Sequence, residues 1–342
     1  MSSIKVKAEH NYLVEIDCDR NDALAEIVSN HKKVLLVIPS EISRMYPNLT
    51  RHSNFDYLLI PNGESAKQIN TVQKIWQRCA QLKLERNDAI VAIGGGATSD
   101  VAGFAASTWL RGVNWYAIPT SLAGMVDAAI GGKTGINQSF GKNLVGAFYS
   151  PQKVFIDLSF LSSLTERDYN AGLAEVIKCG FIKRPEILSR IVEHRNNISR
   201  LIELAVRTKA EVVGKDFKES KVREILNYGH TLGHAIEKDS KYRLRHGEAI
   251  SIGMVFAAEL SGQFLNLSEA DKNLHRNLLT KLNLPVTYPK KRWASLAKLL
   301  TQDKKVRNGR LRFIGITRIG KPAWIEEATL PELKRCYERI SS

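Results

Sequence analysis

Three histidines in the second half of the chain have the spacing of a metal site. His230 and His234 are four residues apart, and His246 follows twelve residues later. A four-residue spacing puts two imidazoles on one face of a helix, and a third histidine from a following turn can complete a set of ligands. The four cysteines are scattered and form no competing cluster. Three histidines, or two with a carboxylate, are typical of a catalytic metal with an open position.

Glu175 is the natural oxygen ligand to join these histidines. It lies with Lys178 in the segment GLAEVIKCG, which is otherwise apolar. A buried carboxylate is costly unless it is paired or bound to a metal, although an exposed helix face explains the segment equally well. Arg223 and Asn227 precede His230 by seven and three residues. This spacing predicts that both share its helix face and that Arg223 brings positive charge to the site.

A glycine-rich turn in the first half could bind a pyrophosphate. The apolar run Ala89–Ile93 leads into Gly94-Gly95-Gly96, and a helix is expected from about Ser99. Free N–H groups and the positive dipole end of that helix suit an anion. The segment is not the GxGxxG fingerprint, so an ordinary turn explains it about as well.

Two further segments carry groups suited to anionic ligands. Glu64 and Lys67 follow a predicted strand, where open α/β sheets bind ligands, although a solvated helix start is at least as good an interpretation. The segment Asp127–Phe148 carries two lysines and two asparagines among five glycines. Its apolar edges argue against a plain surface loop and favour a phosphate or carboxylate site.

The elements that must position these groups follow from hydrophobic periodicity. Wholly apolar strands separated by helices predict a parallel sheet covered on both faces. The predicted strands are Lys33–Ile38, Asp56–Ile60, Ala89–Ile93, Trp115–Ile118 and Val154–Asp157, with helices at Ala66–Leu82 and Asp100–Leu110. Later helical patterns cover Thr165–Ile182, Ser199–Phe217, Glu219–Glu237, Gly247–Leu265 and Leu267–Leu282, and Arg310–Thr317 and Lys321–Ile325 could pair as a hairpin. We therefore expect an α/β domain over residues 1–164 and a mainly α-helical domain over residues 165–342.

Bulk properties exclude several classes of protein. The net charge of +15 is compatible with nucleic-acid binding, but no basic run with interleaved aromatics and no nucleic-acid-binding motif occurs, so an anionic small molecule is the better explanation. No apolar run approaches the ~20 residues of a membrane span, and the charged start predicts no secretory signal. Dispersed cysteines fit reduced thiols, so we expect a cytoplasmic location.

Taken together, these segments resemble the 3-dehydroquinate synthases of the sugar-phosphate cyclase group. The motifs that carry the resemblance are GGGATSDVAGFAAS, GGKTGIN followed by GKNLVGAF, GLAEVIK, and LNYGHTLGHAIE with HGE. The similarity runs from PNGESAK to the DKK at Asp303–Lys305. It implies an N-terminal Rossmann-like domain with a parallel sheet, a helical C-terminal domain, NAD, a divalent metal (zinc, with cobalt as an alternative) and a homodimer.

The resemblance also implies roles for individual residues. The metal ligands would be Glu175, His230 and His246, while His234 would be an active-site histidine and not a ligand. Substrate contacts would come from Arg111, Asp127, Lys133, Lys142, Asn143, Lys178, Lys209, Arg223, Asn227, and Lys304 or Lys305. Cofactor contacts would come from Glu64, Lys67, Gly95, Gly96, Ala97, Thr98, Ser99, Asp100, Thr120, Ser121, Lys133, Lys142, Phe160, Leu161, Ser162 and Ser163.

The implied reaction converts the keto-acid phosphate 3-deoxy-D-arabino-heptulosonate 7-phosphate (DAHP) into 3-dehydroquinate and phosphate. It is a lyase step of the shikimate pathway, and NAD is reduced and then reoxidised during it. Alternatives are another cyclase, of the 2-epi-5-epi-valiolone or 2-deoxy-scyllo-inosose synthase type, or a metal-dependent alcohol dehydrogenase of the glycerol dehydrogenase type. Arg223 and Asn227 favour a carboxylated substrate. The chain departs from the family at Pro39-Ser40, where many members carry an acidic residue and an asparagine suited to ribose.

Overall fold

The computed structural model describes residues 2–51, 54–306 and 311–342, with the side chains of residues 303–306 outside that description. The chain forms two compact units. The first unit comprises Met1–Thr165 and Lys209–Lys218, and the second comprises Glu166–Thr208 and Glu219–Ser342. The grouping of Lys209–Lys218 with the first unit has no signal in the sequence. The two-domain division at residues 164 and 165 stays a prediction.

The first unit is built on strands. They are β1 (Ser2–Lys7), β2 (Asn11–Ile16), β3 (Val34–Pro39), β4 (Asp56–Ile60), β5 (Ala89–Gly94), β6 (Asn114–Pro119), β7 (Lys133–Gln138), β8 (Gly141–Phe148) and β9 (Lys153–Ile156). A seven-stranded sheet has the order β1-β2-β9-β6-β5-β3-β4. Its pairs are parallel except for β1 with β2. Every residue of β3 and β5 is buried, as in a sheet covered on both faces.

The five predicted strands are confirmed to within one residue at each end. Strands β1 and β2 were missed because their buried positions alternate with exposed ones. This alternation is typical of a strand with one exposed face, and it produces no continuous apolar run.

The segment from Asp127 to Phe148 is more ordered than its glycines suggest. Instead of a flexible loop, β7 and β8 form an antiparallel pair with an irregularity between Ile136 and Gln138. A Cβ at Gly135 would lie 2.8 Å from the carbonyl oxygen of Val145. The two backbones can approach this closely because the residue is glycine. Glycine in a sequence is usually taken as evidence against a strand, so this pair was not predicted.

Helices α1 (Arg20–Asn30), α2 (Ser40–Met45), α3 (Ile69–Gln81) and α4 (Gly96–Thr108) complete the first unit. Helix α4 begins three residues earlier than expected, directly at the glycine turn, with Gly95 as its N-cap. A Cβ at Gly96 would lie 2.7 Å from Cβ of Ala128, so this position requires glycine. The helix predicted to begin at Ala66 begins at Ile69, because Ala66 belongs to a separate 3₁₀ turn at Gly63–Ala66.

The second unit is mainly helical. Its helices are α5 (Glu166–Ile182), α6 (Glu186–Arg190), α7 (His194–Lys215, whose last residues belong to the first unit), α8 (His230–Asp239), α9 (His246–Leu265), α10 (Glu269–Lys281), α11 (Trp293–Val306) and α12 (Leu330–Ile340). Helix α9 is the core, packing against α5, α8, α10 and α12. Strands β10 (Phe313–Arg318) and β11 (Lys321–Ile325) form the expected hairpin. In the described residues, no helix is long and apolar enough to cross a membrane.

One helical prediction in this unit was wrong. The segment Glu219–Glu237 is not one helix but a 3₁₀ segment at Val222–Asn227, a break at Gly229, and then α8. Gly229 has a φ of 80°, and a Cβ there would lie 2.8 Å from the backbone nitrogen of Met254 on α9. Close packing against α9 therefore sets the break, and Arg223 and Asn227 do not share a helix face with His230.

Candidate metal centre and nucleotide site

Two histidines and one carboxylate meet in the second unit. Glu175 is 2% exposed on α5. Its Oε1 lies 3.3 Å from Nε2 of His246 and 3.6 Å from Nε2 of His230. One potential ligand atom from each of the three lies within 4.8 Å of the others. The three residues that the family resemblance implied as ligands are thus brought together, from three different helices.

The ring of His230 is held from behind in the way that metal-binding histidines usually are. It is the first residue of α8, and its Nδ1 lies 3.1 Å from the carbonyl oxygen of Tyr228. A carbonyl only accepts, so Nδ1 carries the proton and Nε2 keeps its lone pair on the side of Glu175. Buried Tyr228 is fixed in turn, because its hydroxyl lies 2.9 Å from Nε2 of His275.

The carboxylate of Glu175 is negative and poorly satisfied. Lys178 Nζ lies 2.5 Å from its Oε2. Burial alone would raise the pKa of Glu175, but Lys178, His246 and His230 hold it well below its usual range. Within the described residues, neither carboxylate oxygen has a hydrogen-bond donor at normal geometry. A buried anionic oxygen facing two imidazole nitrogens is what a divalent cation would satisfy, so these residues fit a metal ion.

The two histidines of this set differ in charge preference. Burial lowers the pKa of His230 well below its usual range, and Lys178 adds to the effect. Burial also opposes charge on His246, but the neighbouring carboxylates of Glu175 and Glu237 outweigh the burial and raise the pKa of His246 to about 10. The site therefore attracts one positive charge, which a proton supplies unless a metal replaces it.

His234 stands beside the three residues and apart from them. It lies one turn after His230 on α8, with the ring centroids 5.3 Å apart, and its side chain is 55% exposed. Its Nε2 is 4.0 Å from Oε2 of Glu237. That oxygen is also 3.2 Å from Nδ1 of His246. Glu237 was missed in the sequence, although it follows His234 by three residues and so had to share its helix face.

Arg223 and Asn227 lie in the 3₁₀ segment before the break. Arg223 is 1% exposed, and Asn227 Nδ2 donates to Glu219 Oε1 at 3.1 Å. Between them, Glu224 accepts from Arg312 at 2.8 Å and from Trp324 Nε1 at 3.0 Å. Arg312 and Trp324, at the hairpin of β10 and β11, thus hold the segment in place.

The first unit brings together the predicted cofactor residues that surround Lys67. This lysine is buried, and its Nζ lies 2.5 Å from Asp100 Oδ2 and bonds to Asn143 Oδ1. Glu64 Oε1 accepts from Asn137 Nδ2 at 2.7 Å and lies 3.3 Å from Lys142 Nζ. Three separated segments therefore converge here: the turn after β4, the start of α4 and the β7–β8 hairpin.

Burial acts differently on the two carboxylates of this cluster. It raises the pKa of Asp100 by more than Lys67 lowers it. It also opposes charge on Glu64, but the hydrogen bond from Asn137, together with Lys67 and Lys142, leaves that pKa below its ordinary value. Asp100 is therefore the group in this cluster whose negative charge is less favoured.

The glycine turn leaves room for a ligand at the carboxyl ends of β5 and β6. A Cβ at Gly95 would meet no heavy atom closer than Ser121 Oγ, at 3.3 Å. Ser121 Oγ accepts from Gly124 N at 3.2 Å, and Thr120 N donates to Gly94 O at 3.0 Å. An open helix N-terminus next to a hydroxyl fits a pyrophosphate. Three further residues that were predicted to contact the cofactor lie in the first turn of α4: Ala97, Thr98 and Ser99.

The other predicted residues lie at more varied positions. Phe160, Leu161, Ser162 and Ser163 belong to a 3₁₀ segment after β9, in which only Phe160 is buried. Lys209, on α7, bonds to both Oδ1 and the backbone oxygen of Asp127. Arg111 and Lys133 are exposed. The side chains of Lys304 and Lys305 lie outside the described residues.

Comparison with known proteins decides the family. Models for the 3-dehydroquinate synthase N-terminal and C-terminal regions match residues 57–171 and 172–306. The 3-dehydroquinate synthase of Pseudarthrobacter chlorophenolicus is 44% identical over 99% of this chain and 98% of its own length. The enzyme of that name from Mycolicibacterium vanbaalenii is 43% identical over 99% of this chain and 98% of its own length. The chain belongs to the 3-dehydroquinate synthase family.

Solved structures confirm the fold expected for a member of this family. The 2-epi-5-epi-valiolone synthase of Streptomyces hygroscopicus, with NAD⁺ and Zn²⁺ bound, has a TM-score of 0.87 at 26% identity and covers 99% of this chain and 98% of its own. A 2-deoxy-scyllo-inosose synthase also has a TM-score of 0.87, at 24% identity and 99% coverage of both chains. The prediction of an α/β region with a parallel sheet followed by a mainly helical part is therefore confirmed.

Proposed function

We propose that this chain converts DAHP into 3-dehydroquinate and phosphate, as a carbon–oxygen lyase of the shikimate pathway that depends on NAD and a divalent metal. The observation that carries the proposal is the set Glu175, His230 and His246, with ligand atoms within 4.8 Å of one another. It occurs in a chain that is 44% identical over almost its whole length to a named 3-dehydroquinate synthase.

The metal would be held by Glu175, His230 and His246. One carboxylate and two imidazoles are a common set for catalytic zinc, which leaves one position open for substrate, and cobalt is the alternative. The related 2-epi-5-epi-valiolone synthase with NAD⁺ and Zn²⁺ bound supports both cofactors. When bound, the metal would supply Lewis acidity toward a substrate oxygen, and NAD would accept and return a hydride.

His234 is the proposed proton-transfer group. Its exposed imidazole lies one turn from His230 and within 4.0 Å of Glu237, which can orient it. A histidine changes its charge near neutral pH and can therefore both accept and donate a proton during a reaction cycle. Lys178 stays beside Glu175 and limits the negative charge of the ligand set.

The remaining charged residues suit an anionic substrate. Arginine and lysine bind phosphate and carboxylate through charge-assisted hydrogen bonds. The proposed substrate contacts are Arg111, Asp127, Lys133, Lys142, Asn143, Lys178, Lys209, Arg223, Asn227, and Lys304 or Lys305. Arg223 and Asn227 are proposed to bind the carboxylate of the substrate. This contact would distinguish the enzyme from cyclases whose sugar-phosphate substrates carry no carboxylate.

NAD is proposed to lie on the first unit. The N-terminus of α4 at Gly95 and Gly96 would bind the pyrophosphate, since free N–H groups and the helix dipole favour an anion there. Glu64, Lys67, Asp100, Thr120 and Ser121 would supply further polar contacts. The segment Phe160–Ser163 is proposed as an additional contact. A homodimer, carried over from the family resemblance, and a cytoplasmic location, expected from the dispersed cysteines, are part of the same proposal.

The test is to incubate the purified protein with DAHP and NAD at about one hundredth of the substrate concentration. We expect equal amounts of phosphate and dehydroquinate, far in excess of NAD, with no net NADH. NADH accumulating at roughly one per substrate would instead support an alcohol dehydrogenase. A sugar phosphate without the carboxylate is the control, and faster turnover of that compound than of DAHP would favour another cyclase.

A further inference from the structure

We propose that Glu237 is a positioning residue for the metal centre: its carboxylate accepts the Nδ1 proton of His246 and so directs Nε2 of that histidine toward Glu175. The inference rests on the proposed metal-dependent function, and it assigns a role to a residue that the family resemblance left without one. It concerns the geometry of the ligand set before any metal binds.

The imidazole of His246 lies between two carboxylates. Nδ1 is 3.2 Å from Glu237 Oε2, and Nε2 is 3.3 Å from Glu175 Oε1. An ionised carboxylate only accepts hydrogen bonds, so Glu237 keeps the proton on Nδ1 when the ring is neutral. Nε2 is then the nitrogen with the free lone pair, on the side where Glu175 and His230 lie. A carboxylate behind a ligating histidine fixes both its tautomer and its orientation.

His246 needs this support more than His230 does. The side chain of His230 is 10% exposed and is held by the carbonyl oxygen of Tyr228. The side chain of His246 is 42% exposed, at the first residue of α9, where packing restrains the ring less. Glu237 is itself only 14% exposed and so offers a well-fixed acceptor. Without it, the ring could turn and present either nitrogen.

The end of α8 is anchored close to Glu237. Asp239, two residues on, accepts from Arg292 Nη2 at 2.5 Å and from Tyr288 Oη at 2.7 Å. These bonds hold the last turn of α8 in place. Glu237 is therefore presented by an anchored helix end.

A different role for Glu237 is as a ligand in its own right. Together with His234 and His246 it forms a second group with potential ligand atoms within 4.8 Å of one another. Glu237 lies on the Nδ1 side of His246, whereas Glu175 lies on the Nε2 side. As a ligand, Glu237 would therefore belong to a second ion, and the number of metal ions per chain separates the two roles.

The experiment measures zinc affinity of the zinc-loaded protein by chelator competition, together with zinc content per chain. Wild type is compared with Glu237→Ala and Glu237→Gln. Glu269→Gln is the matched control, because it removes the same charge from a side chain that is 81% exposed. Glu237→Ala should bind zinc about 10- to 100-fold more weakly. Glu237→Gln should fall in between, since its amide oxygen still accepts the Nδ1 proton, and Glu269→Gln should match wild type.

Zinc content should stay at one ion per chain in wild type and in all three variants. The proposal is overturned if Glu237→Ala binds zinc within twofold of wild type, or if its content falls from two ions to one. Should Glu237→Ala fail to fold by circular dichroism, Glu237→Gln decides, and an affinity equal to wild type overturns the proposal. If wild type itself binds no zinc, the metal centre of the proposed function is what fails.

Discussion

Lys178 Nζ lies 2.5 Å from Oε2 of Glu175, and both side chains are 2% exposed. The pair joins successive turns of α5, and Oε1 of the same carboxylate faces His230 and His246. One oxygen of Glu175 thus forms an ion pair within its own helix, while the other is directed at the two imidazoles. A buried carboxylate with only one of its two oxygens paired keeps an affinity for a further cation.

Replacing Lys178 should show this dependence. Lys178→Met leaves a buried carboxylate with less compensation, and loss of one partner of a buried pair costs about 3–5 kcal/mol. The free energy of unfolding, measured with urea in the presence of a chelator, should fall by that order. Saturating zinc should restore part of it. Lys238→Met, an exposed lysine on α8, is the control. Stability equal to wild type in chelator would contradict the interpretation of the pair.

Two histidines of α8 should respond differently to substitution. His230→Ala removes a proposed ligand, so zinc content per chain should fall well below one. His234→Ala should keep its zinc and lose turnover, because the imidazole lies beside the ligand set and not within it. Loss of a general acid or base typically lowers kcat by about 10²–10⁴-fold. Equal metal loss in both variants, measured by elemental analysis, would refute this division of roles.

Buried His275 should make stability fall at acid pH. Burial lowers the pKa of His275 to about 4, although Asp271 opposes the shift. The folded pKa is thus below the unfolded value of about 6.5, so the unfolded chain binds the proton more tightly. Stability is unaffected above about pH 6.5 and declines as the pH falls from there to about 4, by roughly 3 kcal/mol in total.

His275→Gln is the variant that tests this pH dependence. Its amide can still bond to Tyr228 but does not titrate. Urea unfolding between pH 4 and 7.5 should therefore show a shallower slope for the variant than for wild type. Parallel slopes would mean that another group is responsible.

Gly95 should matter for cofactor binding and not for folding. Its φ of −72° and ψ of −176° suit any residue, but an added methyl would occupy the space in front of the α4 N-terminus. Gly95→Ala should keep the melting temperature of wild type and weaken NAD binding by roughly tenfold, ~1.4 kcal/mol. Gly214→Ala in α7, where a Cβ makes only ordinary contact with Lys7, is the control. Unchanged NAD affinity by fluorescence titration would remove Gly95 from the proposed site.

Much of the fold could be predicted from the sequence because the central strands are apolar throughout. β3 and β5 are buried at every position, so their runs stand out from the helices between them. The β7–β8 pair could not be predicted in the same way, since Gly135 and Gly146 lower strand propensity while allowing the two backbones to approach. Contacts of this kind depend on residues distant in sequence.

The candidate metal site shows the same division. The four-residue spacing of His230 and His234 places both on one face of α8, as expected. The break at Gly229 was not predicted, because it depends on packing against Met254 of α9. It separates Arg223 and Asn227 from that face. The spacing of Glu237, three residues after His234, could have placed it on the same helix face. Its contact with His246, at 3.2 Å, could not be predicted, because α9 brings His246 to it only in the folded structure.

The most direct test of the central claim is metal removal and restoration in the DAHP assay. After prolonged dialysis against EDTA, the protein should release no phosphate from DAHP in the presence of NAD. One equivalent of Zn²⁺ or Co²⁺ per chain should restore turnover, because two imidazoles and one carboxylate can hold either ion. Full activity in excess EDTA, with no zinc detectable by elemental analysis, would contradict a metal centre at Glu175, His230 and His246.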